Sequence, residues 1–422
     1  MTDLKKYNKH SDTWCPIPFV GLSLHPMGFL SRCMMSEEVM SNSDEMDWDN
    51  PEFQRLRKSM LDGKWDSPGC DNCRMKEEVG AQSQRQNWLK NTIKKFPDGT
   101  YDNPQLTNNT VRHLFLNFNN VCNFKCRMCS PRYSNSLIPE HNQIVKDARQ
   151  PNGTWIKPEL KGLSFEEQKE GTKHKNINNV IKFLETNRHR LKDITSIWIT
   201  GGEPFIDNTM FKVRDILYEY ANPEQIRMSI TTNGSRCSVE DISTFDKFKQ
   251  IHFDLSVDSV GPMFEYMRSA GIYTWEEMHT FINELAEFRE KNKDWLLVSL
   301  NSTYQLYNAH LIKEFFEYTH NMLGPEHVNM RVLVGPKKLG FQARNTPQHI
   351  KDIANKEIET LLGYSWLGDD ERAMINDCKK MLNHDIIEHE WEAFKSFCKA
   401  QDNYRKVHLN EYHPMLSKEV YV

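Results

Sequence analysis

The chain has 422 residues, enough for one large domain or for two to three ordinary ones. Only 38% of the residues are apolar, yet 11% are aromatic, so a core is expected beneath long polar loops. With 54 basic and 58 acidic residues the net charge is −4, a balance that argues against nucleic acid or an anionic membrane as partner.

The N-terminal stretch MTDLKKYNKHSDTW has no apolar core of signal-peptide type. No apolar run approaches the roughly 18 residues that a membrane helix needs. The expectation is a soluble cytoplasmic protein. Cysteines seldom pair in a reducing compartment, so the ten cysteines of this chain need another use. Seven of them precede residue 130: Cys15, Cys33, Cys70, Cys73, Cys122, Cys126 and Cys129.

Residues 1–85 are turn-rich. PFVGLSLHP, a turn at Gly28 and FLSRCMM predict a β-hairpin. PEFQRLRKSMLDGK spaces Phe53, Leu56 and Met60 along one face of a short helix, with Pro51 at its start and Gly63 near its end. SPGCDNC then makes a tight loop. From about 105 to 345 short apolar strands alternate with helical stretches. The strands are predicted at 111–118, 194–200, 226–232, 251–257, 295–303 and 328–334. Helix-like segments such as FKVRDILYEY and TWEEMHTFINELAEFREK lie between them. That alternation implies right-handed βαβ units and a parallel sheet. Six units fit an open, partial (β/α)6 TIM-like barrel. The first connection, 130–193, spans about 60 residues, too long for one helix. It must carry an insertion, and the polar stretch 151–175 is a candidate lid. After 345 only helices are expected, the first with Thr346 as cap and Pro347 at its first position. The whole is an α/β chain: a small cysteine-rich module (1–85), a partial barrel (105–345) and a helical C-terminal segment (346–422).

The strongest chemical signal is CNFKCRMC, with Cys122, Cys126 and Cys129 on a loop after the first barrel strand. Thiolates are soft ligands that suit iron–sulfur clusters and zinc. Three cysteines can hold one cubane and leave its fourth iron without a protein ligand, as a catalytic metal site keeps an open position. Zinc would want a fourth ligand. Only His141 and His174 follow within the next fifty residues, and spacing alone leaves both readings standing. The second strand ends in Gly201-Gly202-Glu203-Pro204. Glycines there let a ligand approach the backbone, and a carboxylate suits a cationic amine. Later strand ends offer Thr232 and Asn233, Ser256 and Asp258, and Asn301. In barrels, ligand-binding residues gather at such ends, although Asn-Gly is also an ordinary turn dipeptide.

Together these segments resemble the radical SAM superfamily. Its signature is Cys-x3-Cys-x-aromatic-Cys after the first strand, with Met128 here in the aromatic place. The resemblance implies that Cys122, Cys126 and Cys129 hold a catalytic 4Fe–4S cluster whose open iron binds S-adenosylmethionine. One-electron cleavage would then give a 5′-deoxyadenosyl radical that abstracts hydrogen from substrate. It implies that Gly201, Gly202, Glu203 and Pro204 bind the amino group. Ser256 and Asp258 would meet the ribose and carboxylate, with Thr232, Asn233 and Asn301 nearby. A one-electron donor such as flavodoxin or ferredoxin is implied as partner.

The hairpin cysteines Cys15 and Cys33, flanking Gly28, resemble the opening of SPASM and twitch modules. With Cys70 and Cys73 they would hold a second, auxiliary 4Fe–4S cluster. Four thiolates also suit structural zinc, and that alternative stays open. So does the broader one of a non-catalytic iron–sulfur or zinc protein serving structure or electron transfer. Enzymes with such modules often act on peptides or proteins, others on small molecules, so the substrate is left unnamed with a lean towards a peptide or protein.

Remaining candidates have plainer readings. Cys237 is a hydrogen-atom donor, a metal ligand or, more commonly for a lone cysteine, a small buried hydrophobe. Cys378 and Cys398 belong to the core of the tail. His384 and His389, five apart, do not share a helix face and belong to the surface. The charged runs at 159–176 suit a solvated loop. Asp254, within the fourth strand, is expected to face the barrel interior.

Overall fold

The computed structural model describes residues 10–95, 110–162, 179–333 and 339–422, apart from positions 26–27, 35, 37, 43, 67–68, 79 and 81. The chain divides into two compact units. The first comprises Met1–Asn119, Asn176–Ile230 and Phe245–Ile251; the second comprises Asn120–Lys175, Thr231–Thr244 and His252–Val422.

The first unit is built on β1 (Gly21–Leu24), β2 (Leu30–Ser31), β3 (His113–Asn117), β4 (Ser196–Thr200) and β5 (Arg227–Thr232). They lie in the order β2-β1-β3-β4-β5, with the β1–β2 pair antiparallel and the others parallel. Leu114, Phe115 and Leu116 of β3 are all buried, as expected of a parallel strand covered on both faces. The predicted hairpin exists, but its first strand is shorter than expected. Ile17–Val20 forms a turn of helix, with Pro16 as its cap and Pro18 in its first turn. Proline presets a helical φ and cannot donate to a sheet ladder, so the strand begins only at Gly21. The register Gly21↔His113 to Leu24↔Leu116 makes the hairpin part of the parallel sheet. The helix at Pro51–Leu61 forms as predicted, with the Asn50 side chain accepting from the Glu52 and Phe53 amides.

The second unit contains most of β6 (Gln250–Ser256), β7 (Leu296–Tyr304) and β8 (Val328–Val332). β7 and β8 pair in parallel, Asn301 opposite Asn329. Past the end of β6, the Val257 and Asp258 amides donate to the Asn301 carbonyl at 2.9 and 3.1 Å. The helix Trp275–Lys291 starts with a capping box between Thr274 and Glu277. The tail is helical as expected: Gln348–Leu362, Asp369–Leu382, Glu388–Arg405 and Pro414–Val420. Its first helix starts one residue later than predicted. Thr346 does not cap it; its hydroxyl is buried without a hydrogen-bond partner, and Pro347 holds the capping position. Proline disfavours a helical turn at the residue before it, and Thr346 is accordingly extended. Phe394, Phe397 and Cys398 of the Glu388–Arg405 helix pack with Ile144, Met267, Tyr307 and Phe341 in one core. The inserted stretch begins with a bridge between Arg149 and Trp155 and a 3-10 turn at Pro158–Gly162. Residues 163–175, hence most of the candidate lid, His174 and most of the charged run, lie outside the described residues, as does the expected end of β8 at 334.

Candidate active site

The loop after β3 is shaped by its small polar residues. Ser134 and Ser136 hydroxyls donate to the Phe124 carbonyl at 2.7 and 2.8 Å. The Asn120 side-chain amide donates to the Pro131 carbonyl at 3.0 Å. The Phe124 ring, fully buried, packs against Phe264 and Tyr273. Met128 packs on the core of the second unit. These contacts bring Cys122, Cys126 and Cys129 together. Burial pushes the Cys129 thiol up first, and the nearby Cys126 and Cys122 push it further. Cys126 is raised by burial, while the Arg268 guanidinium favours its thiolate, Asp258 opposes it and Arg405 favours it.

Two neighbours of this loop, Asn233 and Asp258, were predicted at strand ends, with Thr232 beside the first. The Asn233 side-chain amide donates to Asn123 Oδ1 at 3.0 Å and lies 3.8 Å from Cys122 Sγ. Thr232 Oγ1 accepts from the Gly234 amide, closing the turn. Asp258 adopts a left-handed φ of 63°. It ion-pairs with Arg268 and accepts from the Thr303 amide at 2.6 Å. Arg268 belongs to a π-helical turn, Glu265–Ser269, a distortion that recurs at functional sites. Ser256 ends β6 half-buried and Asn301 is half-buried on β7. Asp254 is buried on β6 and accepts from Asn329 on β8 at 3.1 Å. Cys237 is half-buried, its Sγ 4.0 Å from the Gly234 carbonyl. Cys378 and Cys398 are buried, and His384 and His389 are exposed. His141 is buried edge-on against Phe397.

In the first unit, Gly201 and Gly202 follow β4 with φ of 86° and 49°. A Cβ on Gly201 would fall 1.7 Å from Asn117 Oδ1, so only glycine fits there. Glu203 and Pro204 are buried, and Glu203 Oε1 accepts from the Phe205 amide at 3.1 Å.

The first unit also gathers Cys15, Cys33, Cys70 and Cys73. Burial raises the Cys15 thiol far above its ordinary range, and charge on Cys73, Cys33 or Cys70 would raise it further. Cys70 and Cys73 sit at the start of the Asp71–Glu78 helix, where the Cys73 amide donates to the Cys70 carbonyl. Two guanidiniums attend this group. Arg32 Nη1 donates to Cys70 Sγ at 3.6 Å and to Asp66 Oδ2 at 2.5 Å. Arg85 is paired with Glu77 and close enough to Cys15 and Cys73 to be stabilised by their charge. Sequence reasoning missed Arg32, Arg85, Arg268 and Arg405. Nothing in their local sequence marks them, since each meets its sulfur only through the fold.

Residues 116–303 match the family described as the radical SAM superfamily. The match marks a domain of the radical SAM class over those residues, less than half of the chain. Among solved structures, one described as native anSMEcpe with bound AdoMet and Cp18Cys peptide is 14% identical, with a TM-score of 0.31. The likeness covers 60% of this chain and 60% of that one. No curated protein matches the chain. The cofactors of this class are a 4Fe–4S cluster and S-adenosylmethionine. Among the described residues no three His, Cys, Asp or Glu side chains are set to hold one metal ion. A cubane takes each thiolate on its own iron, so its ligands surround a volume rather than a point. Three thiols on one loop, close enough that charge on Cys126 or Cys122 opposes ionisation of Cys129, with two guanidiniums that favour the Cys126 thiolate, fit that demand. Among the described residues no helix is long and apolar enough to cross a membrane.

Proposed function

We propose that Cys122, Cys126 and Cys129 hold the 4Fe–4S cluster at which the chain reductively cleaves S-adenosylmethionine. When bound, that cluster supplies the electron whose transfer to the sulfonium releases a 5′-deoxyadenosyl radical. The observation that carries this reading is the grouping of the three thiols with Asn233, Arg268 and Arg405 in one unit. The guanidiniums favour the thiolate form that metal ligation needs. Asn233 ties the loop to the end of β5, and Asp258 fixes Arg268. Gly201, Gly202, Glu203 and Pro204 offer a close-approach turn and a buried carboxylate for the amino group of the cofactor. Thr232, Ser256, Asp258 and Asn301 stand as candidates for its ribose and carboxylate side.

We further assign Cys15, Cys33, Cys70 and Cys73 to an auxiliary 4Fe–4S cluster of SPASM or twitch type, within the division 1–85, 105–345 and 346–422. Four thiols with Arg32 and Arg85 beside them support full ligation. Such a centre suits a relay that accepts an electron when a substrate radical is oxidised. The substrate class proposed is a peptide or protein, with flavodoxin or ferredoxin as electron donor, in the cytoplasm. The test is anaerobic incubation of reconstituted protein with dithionite and S-adenosylmethionine. 5′-Deoxyadenosine should appear, and should vanish in the Cys122/Cys126/Cys129 to Ala variant. Equal yields from both proteins would overturn the assignment.

A further inference from the structure

The Glu388–Arg405 helix lies beyond the family match, which ends at residue 303. Its last turn nevertheless reaches the carbonyl of the residue before Cys126 and the side chain of the residue after it. Arg405 Nη2 donates to the Lys125 carbonyl at 2.7 Å, and Arg405 Nε pairs with Glu140 at 2.8 Å. Gln401 donates to the other Glu140 oxygen at 2.9 Å. Asp402 Oδ1 accepts from Arg127 Nη2 at 2.6 Å and from the Tyr266 hydroxyl at 2.9 Å. Its other oxygen accepts from the Leu409 amide at 2.8 Å and the Tyr421 hydroxyl at 2.7 Å. Arg127 in turn donates its amide to Met267 and its Nε to the Tyr266 carbonyl, with its guanidinium 3.5 Å from the Tyr266 ring centroid.

All four charged groups are at most 5% exposed: Glu140, Arg405, Arg127 and Asp402. Buried ion pairs of this kind contribute little net stability against well-packed apolar residues. They do fix geometry, because each fork has one arrangement that satisfies its partners. Here the fixed groups are the carbonyl of the residue before Cys126 and the side chain of the residue after it.

We infer that Arg405 is a positioning residue for Cys126, so that the Glu388–Arg405 helix is a working part of the cofactor centre. The inference rests on the assignment of the cluster to Cys122, Cys126 and Cys129. Groups that orient a metal ligand typically change metal retention about 10- to 100-fold when removed.

The test uses the full chain in three forms: unaltered, Glu140→Gln/Arg405→Met, and Arg405→Lys. The double variant removes both charges, so no buried charge is stranded, and its urea midpoint should stay near that of the parent. Hydrogen exchange of the apoprotein over residues 121–130 should quicken in the double variant. After reconstitution, iron loss to a chelator should be about 10- to 100-fold faster from the three-cysteine site. Arg405→Lys keeps the charge and one donor, and should return part of both effects. Unchanged exchange and unchanged iron loss would overturn the inference. Should the unaltered protein hold no cluster at these cysteines, the assignment of the site fails, and the exchange measurement still decides whether the helix orders the loop.

Discussion

The chain carries two groups of cysteines, one in each compact unit, and they differ in one sulfur. The group at Cys122, Cys126 and Cys129 has three thiols, while the group at Cys15, Cys33, Cys70 and Cys73 has four. Their surroundings follow one plan. Each is attended by buried guanidiniums that are themselves held by carboxylates: Arg268 by Asp258 and Arg405 by Glu140 in one, Arg32 by Asp66 and Arg85 by Glu77 in the other. Counter-charge is thus common to both. On the proposed assignment, the count of sulfurs would separate a centre with a place for a further ligand from one that can be closed.

The largest effect that would break this comparison is expected at Cys126. Replacing Cys126 by Ala should abolish 5′-deoxyadenosine formation and remove about four irons, one cubane's worth; iron and product analysis of the purified variant checks it. Cys73→Ala should remove a similar amount of iron while leaving cofactor cleavage in place. Zinc in place of iron at that group, or no change in metal on substitution, would show that the two groups differ by more than one sulfur.

A smaller difference is expected in acid. The three-cysteine unit contains His141 and His310, pushed down to about 4 by burial, and His413, pushed down to about 2 by burial and by neighbouring His310. Their unfolded values lie near 6.5. Above that pH the histidines are neutral in both states and their contribution is fully present. As pH falls towards 4 the unfolded chain takes up protons that the folded unit refuses. Stability should drop by roughly 1.4 kcal/mol per pH unit for each histidine. Urea unfolding of the apoprotein at neutral and mildly acid pH measures this, and replacement of His310 and His413 by Gln should flatten the slope. The smallest expected effect is spectroscopic. Added S-adenosylmethionine should alter the paramagnetic signal of the reduced three-cysteine centre and leave that of the four-cysteine centre as it was.

Much of this was legible in the sequence because it is local. Within the described residues the six barrel strands fall within about two residues of their predicted limits, since apolar alternation with helices is a short-range pattern. The Asn50 and Thr274 caps, also set by neighbouring side chains, were not among the predicted features. Cys122, Cys126 and Cys129 share one loop, and their spacing announces them. The proline-rich stretch before Gly21 misled because alternating apolar residues look alike in a strand and in a buried turn of helix. The arginines were illegible for a different reason. Arg268 and Arg405 reach the cysteine loop from beyond β6 and from the last long helix. Only tertiary packing tells them from the other basic side chains of the protein.

The distance of those contacts along the chain sets an order of events during synthesis. The bond from Arg405 to the Lys125 carbonyl spans 280 residues, and the Arg127–Asp402 pair spans 275. At about 5–20 residues per second, the cysteine loop leaves the ribosome roughly 14–56 s before the helix turn that braces it. For that interval the three thiols exist without their frame. Cofactor loading that depends on the braced loop therefore waits until residue 405 has been made and folded.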